Sequence, residues 1–146
     1  MAYLKILLFY FFFITNSFFG IGQKAILGAE KEGTCSFYSD KFDGLPTSNG
    51  EKYNKNEYTA AHKWLPFNTL LAVFNLKTNQ YVIVRVTDRG PHTRNRLIDI
   101  SMAAAVALGI KKLGLAQVKI KVIGFNNFQY LEPIDPIGDE ADLLNL

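Results

Sequence analysis

The segment VRVTDRGPHTRNRLIDIS, residues 84–101, leaves an apolar strand, turns at Asp88, crosses a polar loop and returns to apolar sequence at Leu97. It contains all four arginines of the chain, one of the two histidines and two aspartates. Asp88 lies where the strand gives way to the turn, a position that can hold a functional side chain on a rigid support. The same Asp-x-Gly-Pro sequence is also ordinary turn chemistry, in which Asp bonds to its own backbone. Spacing alone leaves both interpretations open.

The N-terminal residues are typical of a secretory signal peptide. A charged start over residues 1–5 is followed by an apolar, phenylalanine-rich run at 6–19 and by small residues at 20–22. This order predicts cleavage near Gly22 and export to the periplasm or the outer envelope. A segment that stays uncleaved as an anchor is the alternative. The chain has 146 residues, and those that follow the predicted signal peptide suffice for one small domain.

The charge of the chain is uneven. Residues 23–123 hold 15 Lys and Arg against 8 Asp and Glu, a net charge of +7, whereas residues 124–146 hold five acids and no base, a net charge of −5. A basic domain that is exported suggests an acidic polymer of the envelope as its partner, and export disfavours nucleic acid. The single cysteine, Cys35, excludes an internal disulfide, and a small buried side chain is expected there. Neither a metal site nor a cofactor motif is predicted.

Alternating apolar residues predict a small closed barrel. Residues 69–76 and 81–87 are β-rich runs that form a predicted hairpin. Ser101 is a natural N-cap for a helix over residues 102–108, which Gly109 ends. The other predicted elements are strands at 33–38, 58–61 and 116–123 and a long polar loop at 39–56. Six or so short strands with one short helix favour a barrel. Its predicted core includes Val84, Val86, Ile98, Leu108, Val118 and Ile120.

A series of short motifs follows the chain in a fixed order. They are Gly33-x-Cys35-Ser36-x-Tyr38, Thr47-x-Asn49-Gly50-Glu51, Thr59-Ala60-Ala61-His62-x-x-Leu65-Pro66-Phe67, Arg85-Val86-x-Asp88-Arg89-Gly90-Pro91, and Arg96-x-Ile98-Asp99-x-Ser101. In this order and spacing they resemble the catalytic domain of the rare lipoprotein A family, exported proteins that are related in fold to expansins. The match covers residues 33–123. The resemblance implies a mainly β fold, a six-stranded double-psi β-barrel with one short α-helix, between a lead-in at 23–32 and an acidic tail at 124–146.

The resemblance also implies a function and a site. The family suggests an endolytic peptidoglycan transglycosylase of cell-wall remodelling that prefers glycan strands without stem peptides. Expected partners are these strands and cell-wall or cell-division proteins, and the protein is expected to act as a monomer without a cofactor or a metal. The predicted catalytic residues are Asp88, Glu51 and His62, and the predicted substrate-binding residues are Asn49, Arg89, Asp99 and Tyr38. We expect the three catalytic side chains to converge on one groove.

The chemistry of a lytic transglycosylase constrains the roles of these residues. One carboxyl group must first give a proton and then take one, so its pKa has to be raised by burial or by like charge. A nearby arginine would instead lower the pKa of Asp88. Either Arg89 points away, or Glu51 is the acid; the family match favours Asp88. His62 either orients a carboxylate, bonds a sugar hydroxyl or is structural, and Asp99 either binds sugar, caps the helix or holds the arginine loop.

The chain departs from the family pattern at several points. Cys35 and Phe37 replace the usual Ala and Trp, an exchange expected to alter packing alone. No lipid-attachment cysteine follows the signal segment, and no glycan-binding domain of the SPOR type is evident. The alternative function is that of a non-enzymatic, expansin-like module that binds cell-wall glycan, because the carboxylates of the same groove could hydrogen-bond sugar without cleaving it.

Overall fold

The protein forms a closed barrel of six strands with one short helix, and the computed structural model describes residues 26–126. A 3-10 turn at Asp40–Phe42 lies in the long loop after the first strand. The closed six-stranded order and the single α-helix confirm the predicted barrel. The strands are β1 (Glu30–Phe37), β2 (Thr59–His62), β3 (Thr69–Asn75), β4 (Tyr81–Asp88), β5 (Arg96–Ile100) and β6 (Ala116–Phe125), and the helix is α1 (Met102–Ala107).

The order of strands around the barrel brings the predicted site residues close together. The order is β1-β5-β2-β4-β3-β6, and β6 closes on β1. The pairs β1/β5 and β2/β4 are parallel, and the other four are antiparallel. Because β2 lies between β4 and β5, the segment at 89–95 crosses the end of β2. The three strands that carry His62, Asp88 and Asp99 are therefore neighbours.

The core fills the inside of the barrel, as the alternating pattern predicts. Strand β3 pairs with β4 as an antiparallel hairpin, which confirms that prediction. Cys35 is fully buried, and burial, with the negative charge of Asp99 as a smaller cause, raises the pKa of its thiol to about 12. The thiol is therefore not a nucleophile at neutral pH. Every predicted core residue is buried, with at most 3 % exposure: Val84, Val86, Ile98, Leu108, Val118 and Ile120.

The single helix begins and ends where its capping residues predict. The Ser101 side chain accepts a hydrogen bond from the backbone N–H of Ala104, which makes it the N-cap. Leu108 is the C-cap, and Gly109 follows with φ +74°, a left-handed conformation that glycine adopts without steric cost. The buried residues Ala104 and Ala105 pack the helix against the barrel.

The boundaries of the first and last strands differ from those predicted. The lead-in at 23–32 contains the first three residues of β1, which pair with Lys119–Lys121 of β6. This part of β1 is charged, so its hydropathy gave no sign of a strand; Glu30 lies 3.4 Å from Lys119 and 3.7 Å from Lys121. Strand β6 also continues through Phe125, two residues into the predicted tail.

Two sequence predictions concern residues outside the described range. The signal peptide at 1–22 and the part of the acidic tail at 127–146 lie outside the residues that the structure describes. Between residues 26 and 126, no helix is long and apolar enough to span a membrane.

Candidate functional site

A row of four side chains crosses the outer face of the barrel on neighbouring strands. Ser36 of β1 pairs with Asp99 of β5, Asp99 pairs with Ala61 of β2, and Ala61 pairs with Asp88 of β4. Paired residues on adjacent strands share a face. The row faces outward because the residues that precede it in β1, β5 and β2 belong to the core. With Ala61 between them, the two aspartates lie two strand spacings apart, roughly 10 Å.

Asp88 is held by hydrogen-bond donors from three segments. Its Oδ2 accepts from the Tyr38 hydroxyl at 2.7 Å. Its Oδ1 accepts from the Ser48 hydroxyl at 2.6 Å, the Ser48 N–H at 2.9 Å and the Arg89 N–H at 2.8 Å. Burial raises the pKa of Asp88, but the hydrogen bonds from Ser48, Tyr38 and the two amides outweigh burial, so the pKa is lowered overall. In the free protein Asp88 is a carboxylate at neutral pH.

The loop at 47–51 packs along the end of β4 and is shaped by Asn49. The Asn49 N–H donates to the Thr87 carbonyl at 3.2 Å. Its side-chain Oδ1 accepts from the Thr47 hydroxyl at 2.7 Å and from the Glu51 N–H at 3.0 Å. These bonds orient the loop so that Ser48 reaches Asp88. The structure thus gives Asn49 a role within the loop, and its contact with substrate stays a prediction.

Glu51 forms a two-pronged ion pair with Arg85 on the outer face of β4. Both carboxylate oxygens accept from the guanidinium at 2.7 Å. Arg85 also donates to the Asn68 side chain at 2.9 Å. The hydrogen bonds from Arg85 hold the pKa of Glu51 below its usual value, although slight burial raises it. Glu51 is therefore ionised, and its charge is balanced by a neighbour.

Arg89 points away from the carboxylate of Asp88. Its guanidinium donates to the carbonyls of His62 at 3.3 Å and Leu65 at 2.9 Å. It also stacks over the Phe67 ring, 3.8 Å from the ring centroid. Of the two arrangements that the sequence left open, the structure shows the one in which the arginine faces a neighbouring loop. The pKa of Asp88 is lowered by neutral donors rather than by this cation.

His62 is hydrogen-bonded to the turn that follows β2. In the register of β2 and β5 it pairs with Ile98, so its side chain and that of Ala61 are on opposite faces. Its Nδ1 accepts from the N–H groups of Trp64 at 3.3 Å and Leu65 at 3.1 Å, which places the ring proton on Nε2. Within residues 26–126 no hydrogen bond joins His62 to either carboxylate. The register turns the His62 side chain to the face opposite Ala61, and the expected convergence of the three side chains on one groove stays a prediction.

The environment of His62 keeps the imidazole neutral. Burial is the main reason that its pKa is lowered to about 4, and the positive charges of Lys31, Arg89 and Lys63 add to the effect. The ring therefore carries no charge at neutral pH, and its Nε2–H is available as a hydrogen-bond donor.

Tyr38 and Asp99 each form a hydrogen bond with a member of the outer row. Burial and the hydrogen bond to Asp88 raise the pKa of Tyr38, so its hydroxyl stays a donor. Asp99 accepts from the Ser36 hydroxyl and lies 3.6 Å from the Arg96 guanidinium. Of the roles considered for Asp99, the contact with the arginine loop is present, and helix capping falls to Ser101 instead. Sugar binding by Tyr38, Asp99 or Arg89 stays a prediction.

Two residues of the site were missed by reasoning from the sequence. Ser48 donates twice to Asp88, yet in the sequence it is an unmarked position between Thr47 and Asn49. Arg85 was noted as one of four arginines, and its pairing with Glu51 could not be read from residues 34 positions apart. In the part of the chain that the structure describes, no group of three or more His, Cys, Asp and Glu is placed to hold a metal ion.

Comparison with known proteins assigns this barrel to a family. Residues 30–120 match the family model described as lytic transglycolase. The chain is 50% identical over 101 residues to the endolytic peptidoglycan transglycosylase RlpA of Campylobacter jejuni, which covers 69% of this chain and 37% of that protein. It is also 50% identical over 93 residues to the protein of the same name from Haemophilus influenzae, and that alignment covers 64% of this chain and 32% of the relative. The chain thus spans about a third of the length of these relatives.

Solved structures share the fold at much lower identity. The Streptomyces papain inhibitor superposes with a TM-score of 0.54 at 20% identity, covering 65% of this chain and 94% of that one. An expansin of Clavibacter michiganensis superposes with a TM-score of 0.54 at 17% identity, covering 73% and 53%. At these identities the likeness shows the fold alone.

Proposed function

The chain belongs to the lytic transglycolase family, and we propose that it cleaves peptidoglycan glycan strands endolytically and leaves 1,6-anhydromuramoyl ends. Two relatives that are 50% identical across the barrel are named for this activity. The observation that carries the proposal is Asp88, a half-buried carboxyl on an outward-facing row, held by donors from Tyr38, directly after β1, and from the loop at 47–51. The proposed substrate is a strand without stem peptides, and the proposed process is cell-wall remodelling.

In this proposal Asp88 serves first as acid and then as base. Its protonated carboxyl gives a proton to the glycosidic oxygen, the bond from that oxygen to C1 of the muramoyl sugar breaks, and the bond electrons stay on the leaving oxygen. The sugar's own C6 hydroxyl then attacks C1, and the Asp88 carboxylate takes the hydroxyl proton. A new bond between O6 and C1 forms without added water, and Asp88 returns to its protonated state.

Several contacts favour Asp88 over Glu51 for this role. Glu51 is paired with a cation through both oxygens, which keeps it ionised. Asp88 has only neutral donors, and burial already raises its pKa against them. A glycan that covers Asp88 removes more water and takes over donors such as the Ser48 hydroxyl, and both changes raise the pKa further. Substrate binding thus prepares the acid form.

The other predicted residues support this chemistry. Tyr38 and Ser48 orient the Asp88 carboxylate, and the ion pair of Glu51 with Arg85 borders the same loop. His62 stays a predicted catalytic residue. Because its ring is neutral, its proposed role is to donate a hydrogen bond through the Nε2–H and not to transfer a proton. We propose that the protein works as a monomer outside the inner membrane, after cleavage near Gly22, together with cell-wall or cell-division proteins.

A pair of matched substitutions tests the proposal. Asp88→Asn keeps the shape of the side chain and removes the ionisable proton, so it should abolish anhydro ends on peptide-free glycan while glycan binding persists. Glu51→Gln should reduce turnover less. The products are separated by mass spectrometry, where anhydro ends identify a lyase and reducing ends identify a hydrolase. If Glu51→Gln proves the more severe change, the acid is Glu51.

A non-enzymatic glycan-binding module is the second candidate. The observation in its favour is that Asp88 is ionised in the free protein, a state that binds sugar hydroxyls but donates no proton. In addition, one solved structure of the same fold is titled as an expansin mutant in complex with cellohexaose. Wild-type protein that binds peptide-free glycan and yields neither type of end would establish this candidate in place of the enzyme.

A further inference from the structure

A pocket beside the outer row holds basic and aromatic side chains that take no part in the proton transfers proposed for Asp88. It has a volume of about 290 Å³ and lies where β1 and β5 begin and β2 ends. This volume is just below the roughly 300–1,000 Å³ range of pockets for drug-sized ligands, so it suits a ligand as small as one sugar ring. Its lining includes His62, Trp64, Arg94, Arg96, Lys31 and Lys63.

The charge of the pocket is positive. Four cations and one acid, Glu32, line it, which gives a net charge of +3 with His62 neutral. Arg96 is offset by its ion pair with Asp99, 3.6 Å away, which leaves +2. Arg94 differs from the other three arginines, because no hydrogen bond or ion pair links it to another residue in the described range. An anion would find this guanidinium available.

His62 offers a directed donor to the same pocket. The residue is only 8 % exposed, and its Nδ1 is occupied by two backbone N–H groups. Nε2 has no hydrogen-bond partner among residues 26–126. Since every fully buried side-chain nitrogen or oxygen in that range does have a partner, Nε2 is not fully buried. The Nε2–H is therefore accessible from the pocket. A hydrogen bond from this N–H would fix the orientation of a ligand, which the flexible lysine and arginine side chains alone would not do.

Trp64 adds a surface for a sugar ring. It lies two residues after His62 and is 84 % exposed, which is unusual for the largest apolar side chain. The hydrogen bond from its N–H to His62 fixes the backbone at this position. An exposed indole next to cations and a neutral donor suits a ligand with both an apolar ring face and a negative group.

We propose that this pocket binds a sugar that carries a carboxylate, specifically a muramoyl residue whose lactyl carboxyl is free. The inference rests on the proposed function, since in peptidoglycan this carboxyl is either joined to a stem peptide through an amide or free. Arg94, Lys31 and the His62 Nε2–H receive the carboxylate, and Trp64 packs on the ring. Arg96 contacts both the pocket and Ser36 of the outer row, so one strand can occupy both places. An amide-linked peptide would remove the negative charge and fill the space.

The single tryptophan of the chain makes the inference directly testable. In an Asp88→Asn background, which prevents turnover, Trp64 fluorescence is followed while N-acetylmuramic acid or N-acetylglucosamine is added. The two sugars differ only in the lactyl group. We expect N-acetylmuramic acid to bind about tenfold more tightly, the scale of one hydrogen bond to a charged group. This difference should shrink as salt is raised.

Variants locate the effect and separate it from catalysis. Arg94→Gln and Lys31→Gln should each reduce the preference for N-acetylmuramic acid and leave the binding of N-acetylglucosamine unchanged, whereas Lys112→Gln, an exposed control outside the pocket, should change neither. Equal binding of the two sugars by the parent protein, or an undiminished preference in Arg94→Gln, would overturn the inference. No bond is cleaved in this assay. The binding preference can therefore be present even if the protein proves to have no transglycosylase activity, and it can be absent even if the protein has that activity.

Discussion

Replacing His62 by Asn should remove a pH-dependent part of the stability of the barrel. The amide oxygen of Asn can accept the N–H groups of Trp64 and Leu65 in place of Nδ1, and it does not titrate. In the native protein the imidazole stays neutral down to a pKa of about 4, against 6.5 when unfolded. The unfolded chain therefore binds more protons between these values, so the free energy of unfolding falls as the pH drops through this window.

The size of the effect follows from the width of the window. Each pH unit below 6.5 costs about 1.4 kcal/mol, so roughly 2 kcal/mol is lost by pH 5 and at most about 3 kcal/mol by pH 4. Asp88 and Glu51 do not interfere above pH 5. Because their pKa values are lowered, their contribution is lost only as the pH falls below the unfolded values of 3.8 and 4.5. The difference between wild type and variant cancels whatever other groups contribute.

Urea unfolding at several pH values between 7.5 and 5 measures this difference. Wild type should lose about 2 kcal/mol more than His62→Asn over that range. An NMR titration of the wild-type imidazole provides a check that needs no variant, since His62 should not become protonated above pH 5. Equal losses in the two proteins, or protonation of His62 near pH 6.5, would refute the reasoning that burial and neighbouring cations keep the ring neutral.

Two further changes test the core and the Asp88 cluster. Ile98→Ala, at a fully buried position, should lower the free energy of unfolding by about 2–4 kcal/mol in urea, whereas Leu115→Ala, at a half-exposed position, should change it little. Tyr38→Phe removes one hydrogen bond to the Asp88 carboxylate, so the pKa of Asp88 should rise, and a carbon-13 NMR titration of the carboxyl should show midpoint movement to higher pH. A midpoint that stays or falls would contradict the role given to Tyr38.

The barrel could be predicted because local signals agreed with the tertiary fold. The alternating valines of β4 mark a half-buried strand, and Ser101 and Gly109 delimit the helix. The start of β1 could not be predicted in the same way. Its first residues are Glu30, Lys31 and Glu32, which join the sheet through backbone pairing with β6. Hydropathy reports which side chains are buried and gives no sign of a strand stabilised at its edge by backbone bonds and ion pairs.

The sequence indicated candidate residues for the site, whereas the contacts between them could not be predicted. Asp88 and Glu51 do lie along one strand and one loop, but their partners Ser48 and Arg85 depend on how that loop folds back over β4. The face on which His62 lies depends on register. The pairing of β2 with β4 shifts between Ala60 and Ala61, and no feature of a four-residue strand reveals such a shift in advance.

The crossover loop after β4 explains why arginines are concentrated in one segment. Arg89 binds the carbonyls of His62 and Leu65 and so holds the turn whose N–H groups fix the imidazole. Arg96 binds Ser36 and lies beside Asp99, which ties the start of β5 to the outer row. Both arginines thus bind neighbouring segments near the place where the chain passes over the end of β2. Arg94, between them, has no such task in the described residues, and it is the arginine that the crossover presents to the pocket.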